Sequence, residues 1–184
     1  MQLDLDKILS ALPAYREKLM TMRERILTDA VMIGEIPSPT FGEDQVIRFM
    51  CDRFKESGLD QISVDQSGNV ISVVPGRTGK RNILVAAHVD RLWPANTDHT
   101  ITVTTDHLVG PGITDNTMGA ATLTALPSLL EALDLQLDAN LILLGTVKSL
   151  GRGDLGGLRF FVDNTKRPIH AALCLEGVQI GRLS

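Results

Sequence analysis

The stretch NILVAAHVD, residues 82–90, decides the fold. Ile83 to Ala87 is a continuous apolar run without polar alternation, the mark of a β-strand buried on both faces. It stops abruptly at His88-Val89-Asp90. Two later runs, Leu141–Val147 and Ala171–Leu175, have the same character and predict two more buried strands. Helical patterns lie between them. Thr117–Leu133 places Met118, Ala121, Ala125, Leu129 and Leu133 at helical spacing, with Pro127 as a potential kink, and Asp154–Asn164 gives a second helix. Strands that alternate with helices predict an α/β fold: a mixed, mostly parallel sheet with helices on both faces, three layers in all.

Upstream of residue 82 the pattern is less regular. Leu3, Leu5, Ile8, Leu9 and Leu12 form an apolar stripe that Pro13 is expected to interrupt. Leu19, Met22, Ile26, Ala30 and Ile33 then recur at helical spacing. Residues 1–34 thus read as a helical segment packed on a domain formed by 35–184. Ile36-Pro37-Ser38-Pro39-Thr40 reads as a loop, and Glu43–Ser57 as a helix that stops at Gly58. Ile62–Asp65 and Val70–Val74 are short strands around the turn Gln66-Ser67-Gly68-Asn69. Thr100–Thr105 alternates like a half-exposed strand.

The chain has 184 residues, 43% of them hydrophobic and 22% charged, which supplies a core and excludes wholesale disorder. A net charge of −4 argues against a nucleic-acid partner held by a basic field. No run approaches the ~20 apolar residues needed to span a bilayer, and the N-terminus lacks a secretory pattern. The two cysteines, Cys51 and Cys174, cannot staple the fold and read as reduced core residues of a cytoplasmic protein.

Four polar residues occupy informative places. His88 and Asp90 follow one buried strand, Glu176 follows another, and Asp115 lies in a glycine-rich loop before a helix. The carboxyl ends of strands in an α/β sheet form its ligand-binding edge. An imidazole and carboxylates gathered there suit zinc. Each residue also has a simpler reading: His88 as a loop residue, Asp115 as a helix N-cap and Glu176 as a turn residue. His99 and His107 read as surface residues, and Trp93 as a cleft wall or a ring packed under a loop.

HVDRLWP (88–94), GPGITDNTMGAA (110–121), IPSPTFGED (36–44) and LCLEG (173–177) together resemble the motifs of the co-catalytic zinc peptidase and amidohydrolase family. That family includes carboxypeptidase G type enzymes, aminoacylases, acetylornithine deacetylase, succinyl-diaminopimelate desuccinylase and tripeptidases. The resemblance runs from about residue 25 to the end. It implies a zinc-exopeptidase-like fold and amide hydrolysis of small peptides or N-acyl amino acids. It makes His88, Asp115 and Glu176 metal ligands, with Asp115 bridging two metals. Asp90 would orient the His88 ring, and a cis peptide would lie at Asp115–Asn116.

One departure from the family bears directly on activity. Where the family carries Glu-Glu, the general base and a ligand of the second metal, this chain has Ser149-Leu150 within TVKSLGRGDLGG (146–157). No glutamate lies between Glu131 and Glu176, and Asp154 is the nearest acid. The resemblance therefore implies one zinc site and absent or weak hydrolysis. The alternative is a noncatalytic binding or assembly module on the same fold. The family's lid domain and final histidine are also missing before Ser184, so the chain reads as the N-terminal part of a longer protein or as a truncated paralogue. The sequence indicates no substrate-binding residue and leaves the oligomeric state open.

Overall fold

The computed structural model describes residues 5–177. Its centre is a five-stranded sheet of β1 (Ile62–Val64), β2 (Val70–Val74), β3 (Asn82–His88), β6 (Asn140–Thr146) and β7 (Ala171–Cys174). The strands lie side by side in the order β1-β2-β6-β3-β7. β3 runs parallel to both neighbours and pairs Ile83 with Leu141 on one side and with Ala171 on the other. β1 and β2 are antiparallel, as are β2 and β6. The expected parallel character thus belongs to the β6-β3-β7 half, which carries the candidate site.

Side chains along a strand point alternately to opposite faces, and both faces of β3 and β6 are covered. Val85 and Ala87 of β3 join Leu141 and Leu143 of β6 in a core shared with α2 (Arg23–Gly34), α3 (Asp44–Glu56) and α4 (Met118–Ala132). Leu84, Ala86, Ile142 and Leu144 point the other way, onto Phe161 of α5 (Gly156–Asn164). Two covered faces explain why the apolar runs are unbroken.

The three helices of the first face follow from their residues. Val46, Ile47, Met50 and Phe54 form the buried stripe of α3, and Gly58, at φ +76°, ends the turn that follows. α4 buries small residues, Gly119, Ala120, Ala121 and Ala125, which lets it lie close to the sheet and to α2. Arg53 of α3 reaches Asp29 of α2 at 2.9 Å, so the buried carboxylate does not stand as an unpaired charge.

Several expectations are corrected. Pro13 lies inside α1 (Leu5–Thr21) and does not interrupt it; α1 and α2 are separated at Met22. Pro13 has no N–H to donate to the Leu9 carbonyl, but Leu9 lies on an exposed face where water can replace that bond. Leu3 lies outside the described residues. β7 is exposed along its whole length, with Leu173 54% exposed, so neither this strand nor Cys174 is in the core. An apolar run shows that a strand can be buried, not which strand will lie at the edge of the layers. The Thr100–Thr105 strand shrinks to β4 (Thr102–Val103), paired among the described residues with β5 (Leu108–Val109) alone. His99 is buried, with its Nε2 at 3.1 Å from the Pro94 carbonyl. The 94–99 loop folds over it, which spacing alone could not reveal. Trp93 is about half exposed. Among the described residues, no helix is long and apolar enough to cross a membrane.

The unequal burial of the strands is measurable. Leu143→Ala empties a fully enclosed position and should cost about 2–5 kcal/mol. Leu173→Ala on β7 should stay within about 0.5 kcal/mol. Urea unfolding midpoints of the two variants check the difference, and equal losses would contradict the edge position of β7.

Candidate metal centre

His88 is the last residue of β3, aligned with Thr146 at the end of β6. The ring is buried, with its Nε2 edge turned towards two half-exposed carboxylates and its Nδ1 edge towards Asp90. Nε2 lies 3.0 Å from Asp115 Oδ1 and 3.5 Å from Glu176 Oε2. One ligand atom from each of the three residues fits within 4.8 Å of the others. Asp115 and Glu176 are about half exposed, so the cluster has a buried imidazole wall and an open carboxylate side.

Asp115 reaches this place through an unusual turn. Gly112, at φ +71°, precedes the wide turn Ile113–Thr117, in which Asp115 and Asn116 leave helical geometry. Their shared peptide bond is cis, as the motif implies. No side chain caps the start of α4, so the simpler reading of Asp115 as an N-cap does not hold. Asn116 is buried, and its Nδ2 donates to the Leu175 carbonyl at 2.7 Å, which ties this turn to the residue before Glu176. Gly177 approaches the Thr114 carbonyl so closely that any Cβ would collide with it.

Asp90 is fully buried. Its Oδ2 accepts the Thr40 hydroxyl at 2.9 Å and the amides of Ser149 and Leu150 at 2.9 and 2.8 Å. Its Oδ1 lies 3.5 Å from His88 Nδ1, which is closer, at 3.1 Å, to the Asp90 carbonyl. The ring thus meets the main-chain carbonyl of Asp90 at hydrogen-bond distance and its carboxylate at ion-pair distance. Burial alone would raise the Asp90 pKa, but hydrogen bonds from His88, the Leu150 amide and Thr40 outweigh it and hold the carboxyl below its ordinary value. Burial likewise opposes a charged His88. The Asp90 hydrogen bond and the charges of Glu176, Asp90 and Asp115 prevail, and its pKa is raised.

Ser149 is buried beside this cluster, and its hydroxyl pairs with Thr146 Oγ1 at 3.3 Å. Leu150 brings an aliphatic side chain, which cannot ligate a metal. Asp154 is engaged with Arg159 at 3.3 Å, away from the cluster. The loop is nonetheless tightly framed. Its four successive amides, 147 to 150, donate to Asn69 Oδ1, Glu43 Oε1 and, twice, Asp90 Oδ2.

Sequence reasoning missed the partners that brace the site: Thr40, Glu43, Asn69 and, above all, Arg91. Arg91 is 2% exposed, and burial draws its pKa down to about 10, which leaves it charged at neutral pH. Its place directly after His-x-Asp was the one available signal, since a charged residue at a buried strand exit needs a partner.

A model of Peptidase family M28 matches residues 69–181. The uncharacterized protein YgeY of Escherichia coli (strain K12) is 28% identical over 130 residues, or 67% of this chain and 31% of that protein. The match thus spans about a third of the relative's length. Among solved structures, a dipeptidase from Saccharomyces cerevisiae, Dug1p, superposes with a TM-score of 0.73 at 16% identity, covering 90% of this chain and 41% of its own. Human carnosine dipeptidase 1 gives 0.72 at 14% identity, covering 92% and 42%. A Staphylococcus aureus tripeptidase gives 0.67 at 16%, covering 85% and 44%. At these identities the structural likenesses speak for the fold. With the family model spanning more than half of its length, and the cluster lying on the sheet edge where the motifs put it, the chain belongs to peptidase family M28.

Proposed function

We propose that this chain is the metal-bearing portion of a zinc-dependent amide-bond hydrolase, and that as it stands it hydrolyses amides weakly or not at all. The observation that carries the reading is the convergence of His88, Asp115 and Glu176 on one point. One imidazole nitrogen and two carboxylate oxygens form a donor set suited to zinc. Asp90 orients His88 from behind, the kind of support that fixes a ligand's tautomer. When bound, zinc would supply Lewis acidity and a more acidic water.

The protein's own groups do not complete that chemistry. A general base contributes about 10²–10⁴-fold in rate, and the Ser149 hydroxyl at the corresponding place is turned to Thr146. Leu150 leaves a second metal without a ligand, which supports a single zinc. Small peptides or N-acyl amino acids are the proposed substrate class, in keeping with the dipeptidases and tripeptidase that share the fold. Residues 1–34 are read as a helical annex to the domain of residues 35–184. The free thiols of Cys51 and Cys174 support a cytoplasmic setting. The framed but acid-free 147–150 loop also supports a second reading, a noncatalytic binding module. Zinc content of the purified protein separates the two, since a module of that kind would hold none.

Two measurements test the main reading. With a chelator present, His88 contributes stability fully below the ordinary imidazole pKa of about 6.5, and that contribution is lost as pH rises through its raised folded value. Zinc needs the neutral ring, so its affinity should rise over the same interval. Urea midpoints and zinc titrations between pH 6 and 8.5 should therefore move in opposite directions, and His88→Gln should flatten both. In zinc-supplemented assays on dipeptides and N-acyl amino acids, the wild type should show little turnover, and the Ser149→Glu/Leu150→Glu double variant more. Robust wild-type turnover would overturn the inactive reading.

A further inference from the structure

Arg91 has no carboxylate within ion-pair distance among the described residues. Its guanidinium instead sits in a cage of neutral oxygens. Nε donates to Ser38 Oγ at 3.0 Å. Nη1 donates to the Gly34 carbonyl at 2.6 Å and to the Pro111 carbonyl at 3.3 Å. Nη2 donates to the Ile36 carbonyl. The four acceptors come from the end of α2, from the loop that follows it and from the glycine-rich loop before Asp115. The backbone adds to this: Arg91 N donates to the Ser38 carbonyl at 2.8 Å, and Pro39 and Arg91 form an isolated parallel bridge.

Both loops held by the cage lead into the candidate centre. Two residues beyond Ser38, Thr40 donates its hydroxyl to Asp90, which faces His88. Four residues beyond Pro111, Asp115 places Oδ1 3.0 Å from His88 Nε2. The Arg91 stem packs against Gly112, where a Cβ would come within 2.4 Å of Arg91 Cδ. From this arrangement we infer that Arg91 is a positioning residue for the metal centre, fixing the loop that braces Asp90 and the loop that delivers Asp115. A guanidinium suits the task because its five donors are spread in a rigid plane and reach acceptors on separate segments. A lysine presents three donors on one atom and cannot span the same cage. The inference rests on the metal-centre reading of His88, Asp115 and Glu176.

The test compares zinc affinity, by competition with a chromogenic chelator, for wild type, Arg91→Lys, Arg91→Met and Arg53→Met. Arg53→Met breaks the buried pair with Asp29 and serves as a destabilised control, since Arg53 pairs with Asp29, Glu56 and Met32 and with none of the Arg91 acceptors. Both Arg91 variants should bind zinc about 10–100-fold more weakly. Arg53→Met should lower the unfolding midpoint and leave zinc affinity unchanged. Wild-type affinity in Arg91→Lys, or equal weakening in Arg53→Met, would overturn the positioning role. Amide hydrogen exchange on the chelated proteins gives a readout independent of metal. Arg91→Lys should speed exchange in residues 36–41 and 112–117 together while β3 and β6 stay protected; unchanged exchange in those loops would refute it. If the wild type binds no zinc, the metal reading fails, and the exchange result alone decides whether Arg91 fixes the loops.

Discussion

A carboxylate removed from water must find compensation for its charge, and Asp90 finds it in three separate segments. The Thr40 hydroxyl, the Ser149 and Leu150 amides and the His88 ring all turn towards it. A buried charge deprived of its partners is strongly destabilising. The end of β3, the loop after β6 and the loop before α3 are therefore bound to one another through a single side chain. The orientation of His88 follows from that arrangement, and so does the shape of the 147–150 loop.

The same arrangement sets the frame around Ser149 and Leu150. The amides of residues 147–150 are satisfied by Asn69, Glu43 and Asp90, none of which belongs to that loop. Its backbone course is set from outside, so its own side chains could change without the loop collapsing. The course of the 147–150 loop is thus independent of its own side chains, in agreement with the unbroken packing of β6 beside it.

The sequence revealed much of this architecture because periodicity reports burial directly. The runs around Leu84 and Leu143 marked the central strands, and their ends marked where His88, Asp115 and Glu176 would meet. It could not reveal which of the described strands would lie outermost, because the apolar runs of β6 and β7 look alike while, among the described residues, β6 has a strand on each side and β7 on one. It did not identify the braces either. Thr40, Asn69 and Arg91 act through hydrogen bonds across 50 to 88 residues of chain, and no local spacing encodes such partners. His99 was misjudged for a related reason, since its enclosure depends on the course of a loop.

The three converging side chains come from parts of the sheet with very different protection. His88 ends a strand flanked on both sides, whereas Glu176 follows the exposed edge strand, whose pairing among the described residues is with β3 alone. Local opening in proteins starts where few apolar contacts hold the backbone. Fraying of β7 would withdraw one carboxylate and leave the imidazole in place. An ion held by all three groups would in turn act as a clasp on the edge strand, so that occupancy of the centre and the order of β7 rise and fall together.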